Sequence, residues 1–516
     1  MAPAPSSSIG GVDDEDVRPR GGGGDSYGHK TELLVVRLRG DVWTDELDAA
    51  PCDGGCGGDS SSSGVAEPSQ PARVQDTRTF IASETQAADF DEEGGVTGHD
   101  DAQQWSGIRP NGASYRIEVP AIWNGRLVMY AHGYRGEGSE LTVGNPSIRQ
   151  WLLDNGYAWA ASSYSTNFYD VRTGVEDTNE LALAFTDITG LADPDRLYIM
   201  GHSMGGHVTA AAIEDETLAT ANNPVQYHGA VPMCGVVGDT FEFEYLTQAT
   251  MAAQHFAHMK NPDAPPLTGI PATNFDANAI NAVIWAVPPI PPSPPANPGS
   301  LGIPTAEGEQ FQALMRNLSG GERPVADIGF TTYYWHVVMG TGGRDGTVNG
   351  ILARDLTGNA GVTYQFDNFP PLSTEEQAFN DTILRVESNP SANGLRNDGL
   401  RWIPVINGEF NIPVVSLQGL GDFYVPFRHG QIYRERAEAN GNDTWLVQRA
   451  IRSPGHCDYT PEEQINAFED MVAWEQGGPK PAGDDFLDPA TVAADDFGCQ
   501  FTTTDRSGVP ACTTPP

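Results

Sequence analysis

Between Arg196 and Glu214 the chain reads RLYIMGHSMGGHVTAAAIE, and no other stretch restricts the possible folds as strongly. Leu197, Tyr198, Ile199 and Met200 form a short apolar run that suits a buried strand, and the residues from His207 onward suit a helix. Gly201, Gly205 and Gly206 lie at the junction. A strand that turns into a helix over so few residues brings the two backbones almost into contact, which side chains at those positions would prevent. Ser203, at the apex, is then held in a sterically poor conformation. Its hydroxyl projects at a helix N-terminus, where unpaired N–H groups favour developing negative charge. The same Gly-x-Ser-x-Gly pattern recurs at Gly24–Gly28 (GDSYG). With 59 glycines in the chain such accidents are expected, and this copy follows four glycines in a polar tail with no strand before it. We read it as a decoy.

Around the Ser203 unit, strands and helices alternate. SYRIEVP and the run within WNGRLVMYAHGYRG read as strands, SIRQWLLDNG as a helix, YAWAASSY as a strand and VEDTNELALAFTDITG as an amphipathic helix. YHGAVPMCGVV follows as the next strand. This rhythm predicts an α/β fold with a mainly parallel sheet covered by helices on both faces. It breaks from about residue 239 to 408, where VPPIPPSPPANPG, the aromatic TTYYWHVVMG and the helix-like AEGEQFQALMRNL appear. An insertion of that size predicts a cap or lid over 241–404. The rhythm returns with NIPVVSLQGLGD and closes in TPEEQINAFEDMVAWEQGG, with Thr460 as N-cap, Pro461 at the first helical position and Glu463 completing a capping box. The expected units are a disordered tail over 1–29, a strand at ELLVVRLRGDVW and a low-complexity extension over 30–114, and a catalytic core over 115–240 and 405–478. A C-terminal extension covers 479–516.

Composition limits the partners. With 69 acidic against 29 basic residues, a formal charge of −40 argues against nucleic acid or an anionic membrane surface, both of which require a basic footprint. The most apolar stretch, NAVIWAVPPI, is too short and too broken by proline to span a bilayer. The start MAPAPSSS lacks the apolar segment of a leader peptide, as it would if a leader had been replaced by an initiator Met. The six cysteines are even in number, fall partly in local pairs near the ends and include no Cys-x-x-C. These features favour an oxidising, extracellular compartment, and CDGGC has no second pair at zinc spacing. No metal or other cofactor is implied.

A serine hydroxyl is a weak nucleophile at neutral pH. It needs a base, and the base needs an acid to orient it. In an open parallel sheet these groups come from loops at the carboxyl ends of strands. IPVVSLQGLGDFYVP supplies Asp422 in a glycine-rich loop after an apolar run, and WLVQRAIRSPGHCDYTPEE places His456 between a strand and the last helix. Asp239, in CGVVGD after the preceding strand, is a second candidate for the acid. His429 lies too close behind Asp422, His207 reads as helix packing, and His132 and His202 flank the oxyanion loop and the serine, where they either line the pocket or serve as hydrogen-bonded scaffolding.

Taken together, AHGYRG, GHSMGG, QGLGDFYVP and GHCDYT resemble the α/β-hydrolase superfamily, in the chain order Ser203, Asp422, His456. The resemblance covers roughly residues 115–240 and 405–478; the cap and the termini match nothing. It implies an oxyanion hole from the backbone N–H groups of Met204 and of Tyr134, with Gly133 as the alternative to Tyr134. It also implies a serine carboxylic-ester hydrolase acting on a small-molecule or polymeric ester. An amidase or peptidase, or a polyester depolymerase or lipase, on the same residues remains open, as does a non-catalytic binding protein that kept the fold. Trp285, Tyr333, Tyr334 and Trp335 are either pocket walls, Trp335 foremost, or the cap's own core. If the sheet is as read, Cys234 opens toward the site that holds Cys457. A bridge between them would pin the histidine loop, much as feruloyl esterases and tannases pin theirs; two buried free thiols are the alternative. Cys52 with Cys56 and, by elimination, Cys499 with Cys512 would complete the set.

Overall fold

The computed structural model of the chain describes residues 80–82, 96–136, 138–268, 275–290, 301–339, 356–366, 371–395 and 399–512. The expected strand from Glu32, the Gly24–Gly28 serine and the Cys52–Cys56 pair lie outside them.

Eight strands form one sheet: β1 (Gln103–Ile108), β2 (Ser114–Val119), β3 (Arg126–Ala131), β4 (Ala158–Ser162), β5 (Arg196–His202), β6 (Gly229–Met233), β7 (Val414–Gly419) and β8 (Leu446–Ile451). Across the sheet they run β1-β2-β4-β3-β5-β6-β7-β8. β2 is antiparallel to both of its neighbours and every other pairing is parallel. The helices used below are α1 (Arg149–Asp154), α2 (Val171–Leu183), α3 (Met204–Ala212), α4 (Phe241–Lys260), α5 (Ala306–Leu318), α6 (Ala326–Val337), α7 (Arg428–Ala439) and α8 (Pro461–Glu475).

Parallel strands are joined by crossovers that lay helices on both faces of a sheet. Along β3, Leu127, Met129 and Ala131 enter one core with residues of α2, α3 and α7, while Val128 and Tyr130 enter the opposite core with α1 and α8. A strand buried on both sides cannot alternate apolar with polar residues. That is why RLVMYA and RLYIM read as continuous apolar runs. β1 carries no such signal, because it is a half-buried edge strand of mixed residues, QQWSGI. The helix expected over VEDTNELALAFTDITG starts earlier, at Val171, because the Asp170 side chain accepts the Thr173 N–H. It stops at Leu183, and a short helix at Phe185–Thr189 follows before Gly190 turns left-handed at φ 71°. At α8 the Thr460 and Glu463 capping box is present as the sequence predicts.

Where the alternation breaks, the chain enters α4, whose residues are mostly buried. With Ala277–Ile284, α5, α6 and Thr374–Thr382 it surrounds an aromatic core that includes Phe256, Trp285, Phe311, Phe330 and Tyr334. Phe423, in the loop after β7, belongs to the same core. The helical layer therefore rests on the carboxyl-end loops of the sheet. Among the described residues no helix is long and apolar enough to cross a membrane.

The glycines at the β5–α3 junction are needed for contact. A Cβ at Gly205 would lie 2.0 Å from the Ala131 carbonyl oxygen, and one at Gly206 would lie 2.6 Å from Gly235 Cα. Backbone atoms cannot rotate out of the way. Gly205→Ala should therefore destabilise the fold by about 4 kcal/mol or more, the range reserved for core disruption. Denaturant unfolding of the variant against the parent measures this, and equal midpoints would contradict the packing described.

Candidate active site

Ser203 joins β5 to α3 with φ 57° and ψ −123°, a conformation that costs a non-glycine residue roughly 1–3 kcal/mol. The surrounding backbone enforces it: the Ser203 N–H donates to the Met233 carbonyl of the neighbouring strand at 3.0 Å. The loop after β3 presses on the same residue, since a Cβ at Gly133 would sit 3.2 Å from Ser203 Cβ.

Asp422 follows β7 in a tight turn and is fully buried. Its Oδ1 accepts the N–H groups of Tyr424 and Val425, each at 2.9 Å, and Gln418 Nε2 closes the turn by donating to the Val425 carbonyl at 2.9 Å. Gly421 lets this turn meet the loop after β8, donating its N–H to the Ser453 carbonyl at 2.9 Å. There, His456 Nδ1 lies 2.6 Å from Asp422 Oδ2, and its Nε2 lies 2.8 Å from Ser203 Oγ. A carboxylate only accepts, so Nδ1 carries the proton and Nε2 is left free to accept from the serine hydroxyl. Residues 253 positions apart thus complete a continuous Asp-His-Ser chain.

Cys234, at the end of β6, is bonded to Cys457, with their Cα atoms 5.3 Å apart. Both residues have positive φ, 43° and 56°, so the backbone is turned sharply at each end of the bridge. Cys457 Sγ lies 3.4 Å from His456 Nε2. Cys499 is bonded to Cys512. Cys234, His456 and Cys457 also bring three potential metal-ligand atoms within 4.8 Å of one another, but the two sulfurs are joined to each other and are not thiolates.

The other candidates are placed elsewhere. Asp239 accepts the Ile406 N–H at 2.9 Å and pairs with Arg436, so it does not serve His456. His429 is buried: its Nδ1 accepts the Gly238 N–H at 2.9 Å, which leaves Nε2 to donate to Glu242 Oε2 at 2.8 Å. Burial drives His429 well below and Glu242 well above their ordinary values, which favours a neutral pair. His207 donates from Nε2 to the Pro404 carbonyl at 2.7 Å and accepts from Tyr169 Oη at 3.0 Å, which ties α3 to its surroundings.

The three candidate pocket residues are all bonded into the surrounding structure. His132 is buried, donates from Nδ1 to the Gly133 carbonyl at 2.7 Å and stacks on Tyr164; desolvation lowers it to about 3. His202 is buried beside Tyr130 Oη at 3.3 Å and lowered by desolvation to about 4. Both rings are neutral scaffold beneath the serine. Trp335 donates from Nε1 to the Pro289 carbonyl at 2.7 Å within the helical layer. Two residues on from Tyr333, it points about 200° round the helix from that side chain. Tyr333 is the one that reaches the site: its hydroxyl accepts the backbone N–H of His456. Tyr424, stacked with Tyr333, meets the imidazole edge-on at 5.5 Å.

A sheet of this strand order, with a strained serine after β5, an acid after β7 and a histidine after β8, is the α/β-hydrolase fold. No family model matches the chain. It is similar to an o-phthalyl amidase of Xanthobacter agilis, 23% identical over an alignment of 401 positions that covers 71% of this chain and 86% of that one. Among solved structures it is similar to lipase A of Candida antarctica, with 12% identity and a TM-score of 0.38 over 75% of this chain and 80% of that one. It is also similar to the rice cell wall degrading esterase LipA of Xanthomonas oryzae, with 13% identity and a TM-score of 0.31 over 72% and 87% of the two chains. A third is the acylaminoacyl peptidase of Pyrococcus horikoshii, with 10% identity and a TM-score of 0.34 over 75% and 43%.

Proposed function

We propose that the chain is a serine hydrolase that cleaves carboxylic esters through an acyl-enzyme, outside the cell, with residues 241–404 serving as a cap. The observation that carries the reading is the unbroken hydrogen-bond line from Asp422 through His456 to Ser203 Oγ.

In this reading His456 Nε2 takes the Ser203 proton as Oγ attacks the substrate carbonyl. Asp422 keeps the imidazole in the required tautomer and stabilises the imidazolium. The tetrahedral oxyanion is received by the N–H groups of Met204 and Tyr134. Met204 is the first residue of α3, so its N–H has no partner in the helical ladder. Gly133, which abuts Ser203, puts Tyr134 on the adjoining loop. Each such donor is worth roughly 3–4 kcal/mol in the transition state. His456 then returns its proton to the leaving alcohol, and a water activated by the same nitrogen releases the acid. An intact triad geometry argues against a binding protein that merely kept the fold. Two disulfides near the site and the C-terminus support an oxidising compartment.

One observation favours a second reading, an amidase: a relative that matches over most of both chains is named for amide hydrolysis. The two differ in the leaving group that His456 must protonate. Matched p-nitrophenyl ester and p-nitroanilide substrates, assayed with one acyl group, separate them. We expect the ester to be cleaved at least about a hundredfold faster, because alkoxide and phenoxide leaving groups need less help from the acid than an amine does. Comparable kcat/KM values on the two substrates would favour the amidase. Activity that rises only with an insoluble substrate would indicate a lipase or polyester depolymerase.

A further inference from the structure

We infer that Tyr333, carried by the helical layer, is a positioning residue for His456, so that α6 forms part of the active centre and is not a detachable lid. The inference rests on the hydrolase reading for its kinetic consequence and on geometry for its substance.

Helix α6 and the residues just before it are locked at three points to the acid turn and the histidine loop. Just before it, Arg323 donates from Nε to the Leu420 carbonyl at 2.7 Å and lies over the Phe423 ring at 5.0 Å. In its first turn, Gly329 packs so tightly that a Cβ there would fall 2.0 Å from the Gly421 carbonyl oxygen. Residues four apart share one face of a helix, so the face that meets Gly421 at position 329 presents Tyr333 one turn further along. There the hydroxyl accepts the His456 N–H, and the ring lies against Tyr424, which in turn contacts the imidazole edge. His456 is therefore held from three sides. Asp422 fixes Nδ1, the disulfide at Cys457 fixes the residue after it, and Tyr333 fixes its own peptide group. Of these three, only Tyr333 comes from the inserted layer.

A histidine in a loop has freedom about its backbone as well as its side chain, and a displacement of about 1 Å in a reacting group can lower a rate about a hundredfold. The hydrogen bond from the His456 N–H to the Tyr333 hydroxyl restrains the backbone part. A cap that swung away as a rigid body would release it.

The test uses the full chain with Tyr333→Phe, which removes only the hydroxyl. Tyr334→Phe is the control: it removes a neighbouring hydroxyl that bonds Asn281 Oδ1 at 2.7 Å inside the helical core and does not touch His456. Tyr333→Phe should lower kcat about tenfold or more with KM unchanged within about twofold, and should slow fluorophosphonate labelling by the same factor. Tyr334→Phe should leave both rates unchanged. Amide hydrogen exchange across 453–459, read by mass spectrometry, should be at least about tenfold faster in Tyr333→Phe alone. Unchanged kcat and unchanged exchange in Tyr333→Phe overturn the inference, as does an equal loss in both variants. Faster exchange in a protein that neither turns over esters or amides nor reacts with fluorophosphonate would sustain the anchor while refuting the hydrolase.

Discussion

Ser203→Ala and His456→Ala should each lower kcat on an activated ester by about 10⁴- to 10⁶-fold, and the double variant should be no slower than the slower single variant. In the proposed mechanism the two side chains act as one unit. With the hydroxyl gone there is nothing for Nε2 to deprotonate, and with the imidazole gone the hydroxyl keeps its proton. Asp422→Asn should cost about 10⁴-fold by a different route. An amide that offers its NH₂ to Nδ1 would push the proton to Nε2, the nitrogen that now faces Ser203 Oγ at 2.8 Å. KM should move little in all three, because none of these groups is required to bind the substrate. Steady-state kinetics with active-site titration by a fluorophosphonate measures both effects. Strictly additive losses in the double variant, or labelling of Ser203→Ala at the parent rate, would place the chemistry elsewhere.

The second large effect concerns the Cys234–Cys457 bridge. It closes a loop of 223 residues, and in the chain-entropy description removing so long a constraint costs about 5 kcal/mol. The Cys499–Cys512 bridge, with a separation of only 13, should be worth about 3 kcal/mol on the same basis. The expected contrast is sharper in function than in stability. Cys457 adjoins His456, so the Cys234→Ala/Cys457→Ser variant should lose kcat as well as denaturant resistance, whereas Cys499→Ser/Cys512→Ser should lose resistance alone. Because Cys234 is fully buried, paired substitutions are a cleaner test than added reductant. Equal activity of the two variants would mean that the bridge does not hold the histidine loop.

Much of the core could be read because the same physical requirement shaped both sequence and structure. Strands buried on two faces must be apolar throughout, as in RLVMYA, RLYIM and GAVPM, and a helix that begins at Pro461 needs its orphan N–H groups satisfied, which the Thr460–Glu463 capping box records. β1 left no such mark, since one edge of it faces solvent. α4 left no such mark either. α4 is buried on most of its circumference, and a helix buried all round loses the periodic contrast by which helices are recognised.

By itself the sequence determined the elbow at Ser203, the chain order of serine, acid and histidine, and the two-faced sheet that displays them, because glycine spacing and apolar runs are local requirements. Tertiary structure alone decided the rest. It set Asp422 against His456 and Asp239 against Arg436, joined Cys234 to Cys457, and buried His132 and His202. It also turned Tyr333 toward His456 and Trp335 away. Which atoms meet across hundreds of residues depends on how rigid elements dock, and docking is fixed by the complementarity of whole faces. No short stretch of the chain records that on its own.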